Sequence, residues 1–327
     1  MKPTKPHRLA VVIPSFNRKA FIFEALDSIL TQNCSPELQF HVIVVDDGST
    51  DGTFEAICEK YTFVTTEVAN VATLTPQLTL MRQPNRERGA ARNTGAKWAI
   101  QSWNAEWLLF FDSDDRMAEN ALNSFEDSLC ENFSAIYGLI QVWDSSTTPN
   151  PGKPERRRRR SMPDGDLSYR ALSRTILPLG ATLIAAKCFE QVGPFSEDRR
   201  MSGSEDWAFL TKVAFAGKVH FVPHLIAYYR QHGGNTNNER YLTSLDLAVR
   251  SLEPAMKRRF PESSERVIRC LRTRASLLKT GALLRMGRLR DAKRLLVRTF
   301  LEDRLWWDYR PYRMGLSLLK HWVLRSP

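Results

Sequence analysis

Val44-Val45-Asp46-Asp47-Gly48-Ser49-Thr50-Asp51 and Trp107-Leu108-Leu109-Phe110-Phe111-Asp112-Ser113-Asp114-Asp115 decide the fold. Each is a short apolar run that ends in carboxylates. An apolar run of this length reads as a strand buried on both faces, as in a parallel sheet. In open α/β sheets, ligands bind beyond the carboxyl ends of the strands. Carboxylates placed there serve a ligand or a cation better than they serve a core. A third acidic cluster, Gly203-Ser204-Glu205-Asp206-Trp207, follows downstream. The three together suggest an enzyme that handles a nucleotide-linked substrate with a metal.

The surrounding pattern agrees. Leu9 to Ile13 is an apolar run closed by Pro14, a first buried strand. Helical spacing over Ala20 to Thr31 is followed by a strand over Phe40 to Val45 and a helix over Thr53 to Tyr61, with Asp51 or Thr50 as its N-cap. Leu78 to Arg82 reads as a strand, Gly89 to Ser102 as a helix, and Trp107 to Phe111 as a strand. Strands alternating with helices imply βαβ units and a mainly parallel sheet. Ser145 to Pro163, with four prolines and the run Arg156 to Arg160, reads as an exposed loop. Leu179 to Ala186 resembles a strand, Asp206 to Ala216 a helix, and Val219 to Tyr229 an extended segment. From Tyr241 the chain is helical, with amphipathic stretches at Arg266 to Leu284 and Leu289 to Leu301. The expected domains are residues 1–236, α/β, and 237–327, a basic helical region.

Composition narrows the class. The five cysteines are scattered and never in C-x-x-C spacing, which argues against a disulfide framework or zinc site. No apolar run approaches the roughly 20 residues that span a bilayer. The expectation is a cytoplasmic protein, at most peripheral to a membrane. The net charge of +11 is uneven. Residues 237–327 hold 21 Lys and Arg against 9 Asp and Glu, a net of +12, leaving −1 for the rest. The basicity belongs to the tail.

Ile13-Pro14-Ser15-Phe16-Asn17-Arg18, the Asp46–Thr53 segment, Gly89-Ala90-Ala91-Arg92-Asn93-Thr94-Gly95 and Phe111-Asp112-Ser113-Asp114-Asp115 together resemble family 2 glycosyltransferases. These are inverting enzymes of the GT-A fold. The resemblance continues through Val192-Gly193-Pro194-Phe195, Glu205-Asp206-Trp207 and Tyr229-Arg230-Gln231-His232-Gly233-Gly234-Asn235, covering residues 9 to 235. The tail carries no comparably specific motif.

Chemistry and resemblance together assign roles. Pro14, Ser15, Phe16, Asn17 and Arg18 line the nucleotide, with Phe16 placed to stack on a pyrimidine. Asp47 accepts from a base N–H, as the corresponding family carboxylate does. Arg88 and Arg92, at i and i+4, face the diphosphate with planar donor forks. Asp112-Ser113-Asp114 is a D-x-D motif whose hard oxygens suit Mg²⁺ or Mn²⁺. Asp114 is the first ligand, Asp115 a second, and Asp112 faces the ribose or sugar. His232 is the family position that reaches metal or diphosphate. Asp206 occupies the position of the family's general base, which takes the acceptor hydroxyl's proton.

The resemblance implies transfer from a nucleotide-diphosphate sugar, with a bias to UDP, to a glycan or lipid-linked acceptor. The basic tail then suits docking at an anionic membrane face, with homodimerisation through the same helices as the alternative. Nucleic acid is not an expected partner. A nucleotidyltransferase needs a Gly-rich phosphate loop after the first strand, where this chain has Pro14-Ser15-Phe16-Asn17. A nucleotide-binding, non-catalytic protein with an interacting tail is the other alternative, and intact Asp47, Asp114 and Asp206 disfavour it.

Overall fold

The computed structural model describes residues 6–61, 67–68, 71–129, 132–145, 162–173, 177–231 and 239–302. The chain begins β1 (His7–Ser15), α1 (Ile22–Leu30), β2 (Leu38–Asp46), α2 (Thr53–Tyr61), β3 (Glu67–Val68), β4 (Val71–Thr75) and β5 (Leu78–Arg82). It continues with α3 (Glu87–Trp103), β6 (Trp107–Phe110), β7 (Arg116–Met117), β8 (Ala135–Asp144), β9 (Gly165–Asp166), α4 (Ser168–Ser173), β10 (Thr182–Ala185) and α5 (Ala186–Val192). It ends with α6 (Glu205–Ala216), β11 (Lys218–Gln231), α7 (Glu239–Arg259), α8 (Ser264–Arg285) and α9 (Leu289–Glu302).

The strands form one sheet in the order β3-β4-β5-β2-β1-β6-β10-β8-β11-β7, with β9 beside β11. Its centre, β5-β2-β1-β6, is parallel throughout. Both flanks are largely antiparallel: β4 on β5, and β10 between β6 and β8. "Mainly parallel" therefore describes the centre, and the whole sheet is mixed. Leu9 to Ile13 are fully buried, as a strand covered on both faces requires. Leu9, Val11 and Ile13 join the cluster that holds Ile22, Leu26 and Ile29 of α1. Because β1 and β2 pair in register from His7↔Leu38 to Ser15↔Asp46, their carboxyl ends stop level.

β8 has no counterpart in the sequence pattern, because Gly138 interrupts its apolar run. The glycine is there for packing. A Cβ at 138 would lie 2.4 Å from Ile226 Cγ1 and 2.8 Å from the His224 carbonyl oxygen, so only glycine lets β8 and β11 approach this closely.

The chain divides into two compact units. One comprises Met1–Asp166, Leu177–Arg199 and Ala216–Asn235 and contains the sheet. The other comprises Leu167–Ile176, Arg200–Phe215 and Thr236–Pro327. A single cut near residue 236 does not reproduce this division, because α4 and α6 group with the C-terminal helices. In this second unit Phe260 packs edge-on to Phe215 at 5.5 Å and against Tyr169 at 4.9 Å. Arg259 Nε donates to Ser168 Oγ at 3.1 Å. Those contacts tie residues far apart in sequence, which periodicity alone does not reveal.

His41 offers a test of the sheet's packing. Its ring lies 5.4 Å from both Trp98 and Trp103, with Nε2 2.9 Å from Thr79 Oγ1. Burial pushes its pKa down from 6.5 to about 4. The unfolded chain therefore binds the extra proton first. Stability should be unaffected above pH ~6.5 and fall by up to about 3 kcal/mol as the pH drops to ~4. Urea unfolding of His41→Phe should show a flatter profile across that window than the wild-type chain. Equal slopes would mean that the ring titrates normally.

Candidate active site

The carboxyl ends of β1, β2 and β6 converge on one edge of the sheet, and the acidic residues sit there. Asp47 is 2% exposed. Its N–H donates to the Ser15 carbonyl at 2.8 Å, and its Oδ1 accepts from Gln83 Nε2 at 2.7 Å and Arg86 N at 2.9 Å. Burial raises its pKa, and these donors oppose that shift. Asp47 thus holds the turn before α3 as well as facing the edge where a base is expected. Asp46 is fully buried, with Arg82 Nε 3.5 Å away, and burial raises its pKa too. Ser15 Oγ and Asp46 Oδ1, on residues paired in register, are buried without a hydrogen-bond partner among the described residues.

The loop after β1 is built on Asn17, which takes a left-handed φ of 52°. Its N–H donates to Ser49 Oγ at 2.9 Å, and its Oδ1 accepts from Thr50 N at 2.8 Å. Asn17 therefore braces the loop that follows β2. Phe16, beside it, is 44% exposed, which is unusual for a phenylalanine at a strand end and suits a stacking platform. Asp51 performs the expected capping: its Oδ1 accepts from Thr53 N at 3.0 Å, and its Oδ2 accepts from Lys19 N at 3.1 Å.

The D-x-D turn leaves β6 directly. Asp112 Oδ1 accepts from Arg92 Nη2 at 2.8 Å. Arg92 is 1% exposed, with its guanidinium carbon 5.4 Å from the Phe195 ring centre. Arg88, at the exposed start of α3, does not share that buried position. The two arginines of the i, i+4 pair therefore differ in burial, Arg88 at the exposed helix start and Arg92 one turn deeper. Asp114 Oδ2 lies 3.5 Å from Arg18 Nε. Asp115 is buried, and its Oδ1 accepts from Arg230 N at 2.9 Å. Burial, then the neighbouring Asp112 charge, pushes its pKa up to about 8.

Gly89 and Asn93 of the same motif both make packing contacts. A Cβ on Gly89 would lie 2.4 Å from the Ser196 carbonyl oxygen, so the close approach is to the protein's own backbone. Asn93 Oδ1 accepts from Phe195 N at 2.9 Å, and its Nδ2 donates to Phe195 O at 3.0 Å. The Gly193-Pro194-Phe195 segment is thereby pinned to α3, which places Phe195 against Arg92.

In the second unit, Asp206 lies in the first turn of α6, and its Oδ1 accepts from Trp207 N at 2.7 Å. Glu205 Oε2 accepts from Gly203 N at 2.7 Å. Ser204 donates to the Met201 carbonyl at 3.3 Å rather than capping the helix. Around this turn stand residues that the sequence did not mark. Arg274 is 4% exposed, 5.3 Å from the Trp207 ring centre, and donates to Ala171 O at 3.0 Å. Burial, with the Asp206 carboxylate adding to it, raises the Tyr241 pKa. His232 and Arg156 to Arg160 lie outside the described residues.

Comparison with known proteins places the chain. The family model "Glycosyl transferase family 2" matches residues 10–193. The minor teichoic acid biosynthesis protein GgaA of Bacillus subtilis is 29% identical over 135 residues, 41% of this chain and 27% of that protein. The chain thus matches well under two thirds of that relative's length. Among solved structures, Staphylococcus aureus TarS 1-349 with UDP aligns at TM-score 0.55 and 19% identity, covering 92% of this chain and 78% of that one. The mannosyltransferase PcManGT of Pyrobaculum calidifontis, solved with GDP-Man and Mn²⁺, aligns at TM-score 0.57 and 19% identity, covering 99% and 83%. These likenesses agree with the GT-A fold. With more than half its length matched by the family model and its acidic strand ends arranged as described, the chain belongs to glycosyltransferase family 2.

Proposed function

We propose that the chain transfers a sugar, with inversion, from a nucleoside-diphosphate donor to a surface-glycan or lipid-linked acceptor. The observation that carries this is the meeting of exposed Phe16, the Arg18–Asp114 contact and the Arg92–Asp112 pair at the carboxyl edge of the parallel strands. Phe16 stacks on the base. Arg18 stands beside Asp114 where a diphosphate brings further negative charge. The TarS structure with UDP supports a uridine donor, and the relative named for minor teichoic acid biosynthesis supports a glycan-building role.

The acidic turn fits a divalent cation. Its donors are hard oxygens, and Asp112 and Asp114 crowd the buried Asp115 with like charge, which a cation would offset. Among the described residues no three His, Cys, Asp or Glu side chains are gathered to hold a metal. Asp114, with Asp115 as the second carboxylate, would hold Mg²⁺ or Mn²⁺, and donor phosphates and water would supply the remaining oxygens. The chemistry such an ion would supply there is neutralisation of charge on the departing nucleoside diphosphate. Asp206 takes the proton from the attacking acceptor hydroxyl.

Thermal unfolding with UDP, GDP, TDP and CMP, each with and without Mn²⁺, tests the donor. A ligand at 100 times its dissociation constant adds about 2.7 kcal/mol. A Mn²⁺-dependent shift with UDP is expected, and no shift with any nucleotide would overturn the donor site. Asp206→Asn should lower transfer at least about 100-fold with UDP affinity unchanged. Retained turnover would remove Asp206 as the base.

No helix among the described residues is long and apolar enough to cross a membrane. On α9, however, Leu289, Val297 and Leu301 are exposed among exposed Arg290, Lys293, Arg294 and Arg298. That mixture suits an anionic membrane surface. Reversing Arg290 and Arg294 to Glu in the full chain should abolish flotation with phosphatidylserine vesicles. Undiminished flotation would take the role away from α9.

A further inference from the structure

Arg230, near the end of β11, is a heavily engaged cation at the acidic edge, and neither the motif reading nor the reaction chemistry gives it work. It is 7% exposed. Its guanidinium carbon lies 4.0 Å from the Trp143 ring centre and 5.3 Å from that of Phe21. Nη2 donates to Glu24 Oε2 at 2.5 Å. Nε donates to the Asp114 carbonyl oxygen at 2.7 Å, and the backbone N–H donates to Asp115 Oδ1 at 2.9 Å.

Arg230 grips two successive residues of the D-x-D turn, one through its side chain and one through its backbone. The turn otherwise has reason to spring apart, since Asp112, Asp114 and Asp115 lie within four residues and Asp115 is buried. Glu24 balances the cation from α1, and also lies 3.9 Å from Arg116 Nη1. The Trp143 and Phe21 rings both lie within cation–π reach of the guanidinium. A lysine preserves charge but has neither a planar fork nor the same stacking.

We propose that Arg230 is the positioning residue of the metal- and diphosphate-binding turn. Through the Glu24–Arg230–Asp114 chain of contacts, it holds the Asp114 backbone so that its carboxylate meets the cation. The proposal rests on the donor-site reading above. It assigns to α1 and β11 a part in donor binding that the β1, β2 and β6 loops alone do not supply.

The test is Mn²⁺ binding by electron paramagnetic resonance, with and without UDP, on wild-type chain, Arg230→Lys and Glu24→Gln, beside UDP binding in EDTA. Arg230→Lys should weaken UDP-dependent Mn²⁺ binding at least about tenfold while metal-free UDP affinity stays within about twofold. Glu24→Gln, an exposed-side change that leaves the arginine in place, should weaken Mn²⁺ binding by a smaller factor in the same direction. Wild-type Mn²⁺ affinity in both folded variants would overturn the role of Arg230. If Arg230→Lys does not fold, an unchanged Mn²⁺ affinity in Glu24→Gln overturns it alone. Failure of the wild-type chain to bind Mn²⁺ with UDP would instead overturn the donor site beneath it.

Discussion

The ion pair between Arg92 and Asp112 anchors the acidic edge. At 2.8 Å, with the arginine 1% exposed, it places a cation in the protein interior. Asp112 keeps 36% of its side chain exposed, so losing Arg92 leaves a carboxylate that water can reach, whereas losing Asp112 takes a charge partner from a buried guanidinium. The surrounding sequence is organised to keep it whole. Asn93 clamps Phe195 from both its backbone groups, and Gly89 lets the Ser196 carbonyl close against α3. The Gly-x-x-Arg-Asn motif is thus a device for burying one arginine under the D-x-D turn, more than a phosphate clamp of its own.

The same economy runs through the other strand ends. A carboxylate at the end of a buried strand loses water and must find donors or a cation. Asp47 finds Gln83 and the Arg86 N–H, and Asp115 finds the Arg230 N–H. Asp46 finds less, since one of its oxygens has no partner among the described residues. Carboxylates proposed for ligand chemistry, Asp47 and Asp115, are therefore also bound into the edge itself. Changing any of them will alter stability and binding at once, so a binding defect must be judged against folding in the same variant.

What the sequence disclosed follows from locality. Strand runs such as Leu9–Ile13 and Leu78–Arg82, the α2 helix with its Asp51 cap, and the carboxylates at strand ends are local patterns, and each was legible. On the far flank β10 and β11 were legible as extended runs, but β8 was not, because Gly138 interrupts it, and the pairings of β8 with β10 and β11 join distant stretches of sequence. Arg230 was visible only as part of a Tyr-Arg motif. Its work depends on Trp143, Phe21 and Glu24, which no spacing rule connects to it.

The basic tail shows how a charge count can mislead. Its net charge of +12 suggests a continuous docking surface, yet much of it is engaged inside its own unit. Arg274 is buried on Trp207, Arg272 meets Glu253 at 3.1 Å, Lys279 meets Asp246 at 2.5 Å, and Arg288 is tied to Asp291 at 2.8 Å. The helix that carries Asp206 belongs to this same unit. These helices therefore do two things. Their inward arginines and aromatic residues shape the surroundings of the proposed base, and among the described residues it is α9 that presents arginine and leucine together to solvent. Removing the tail would disturb Asp206 along with any membrane contact, which is why charge reversal on α9, and not truncation, separates the two roles.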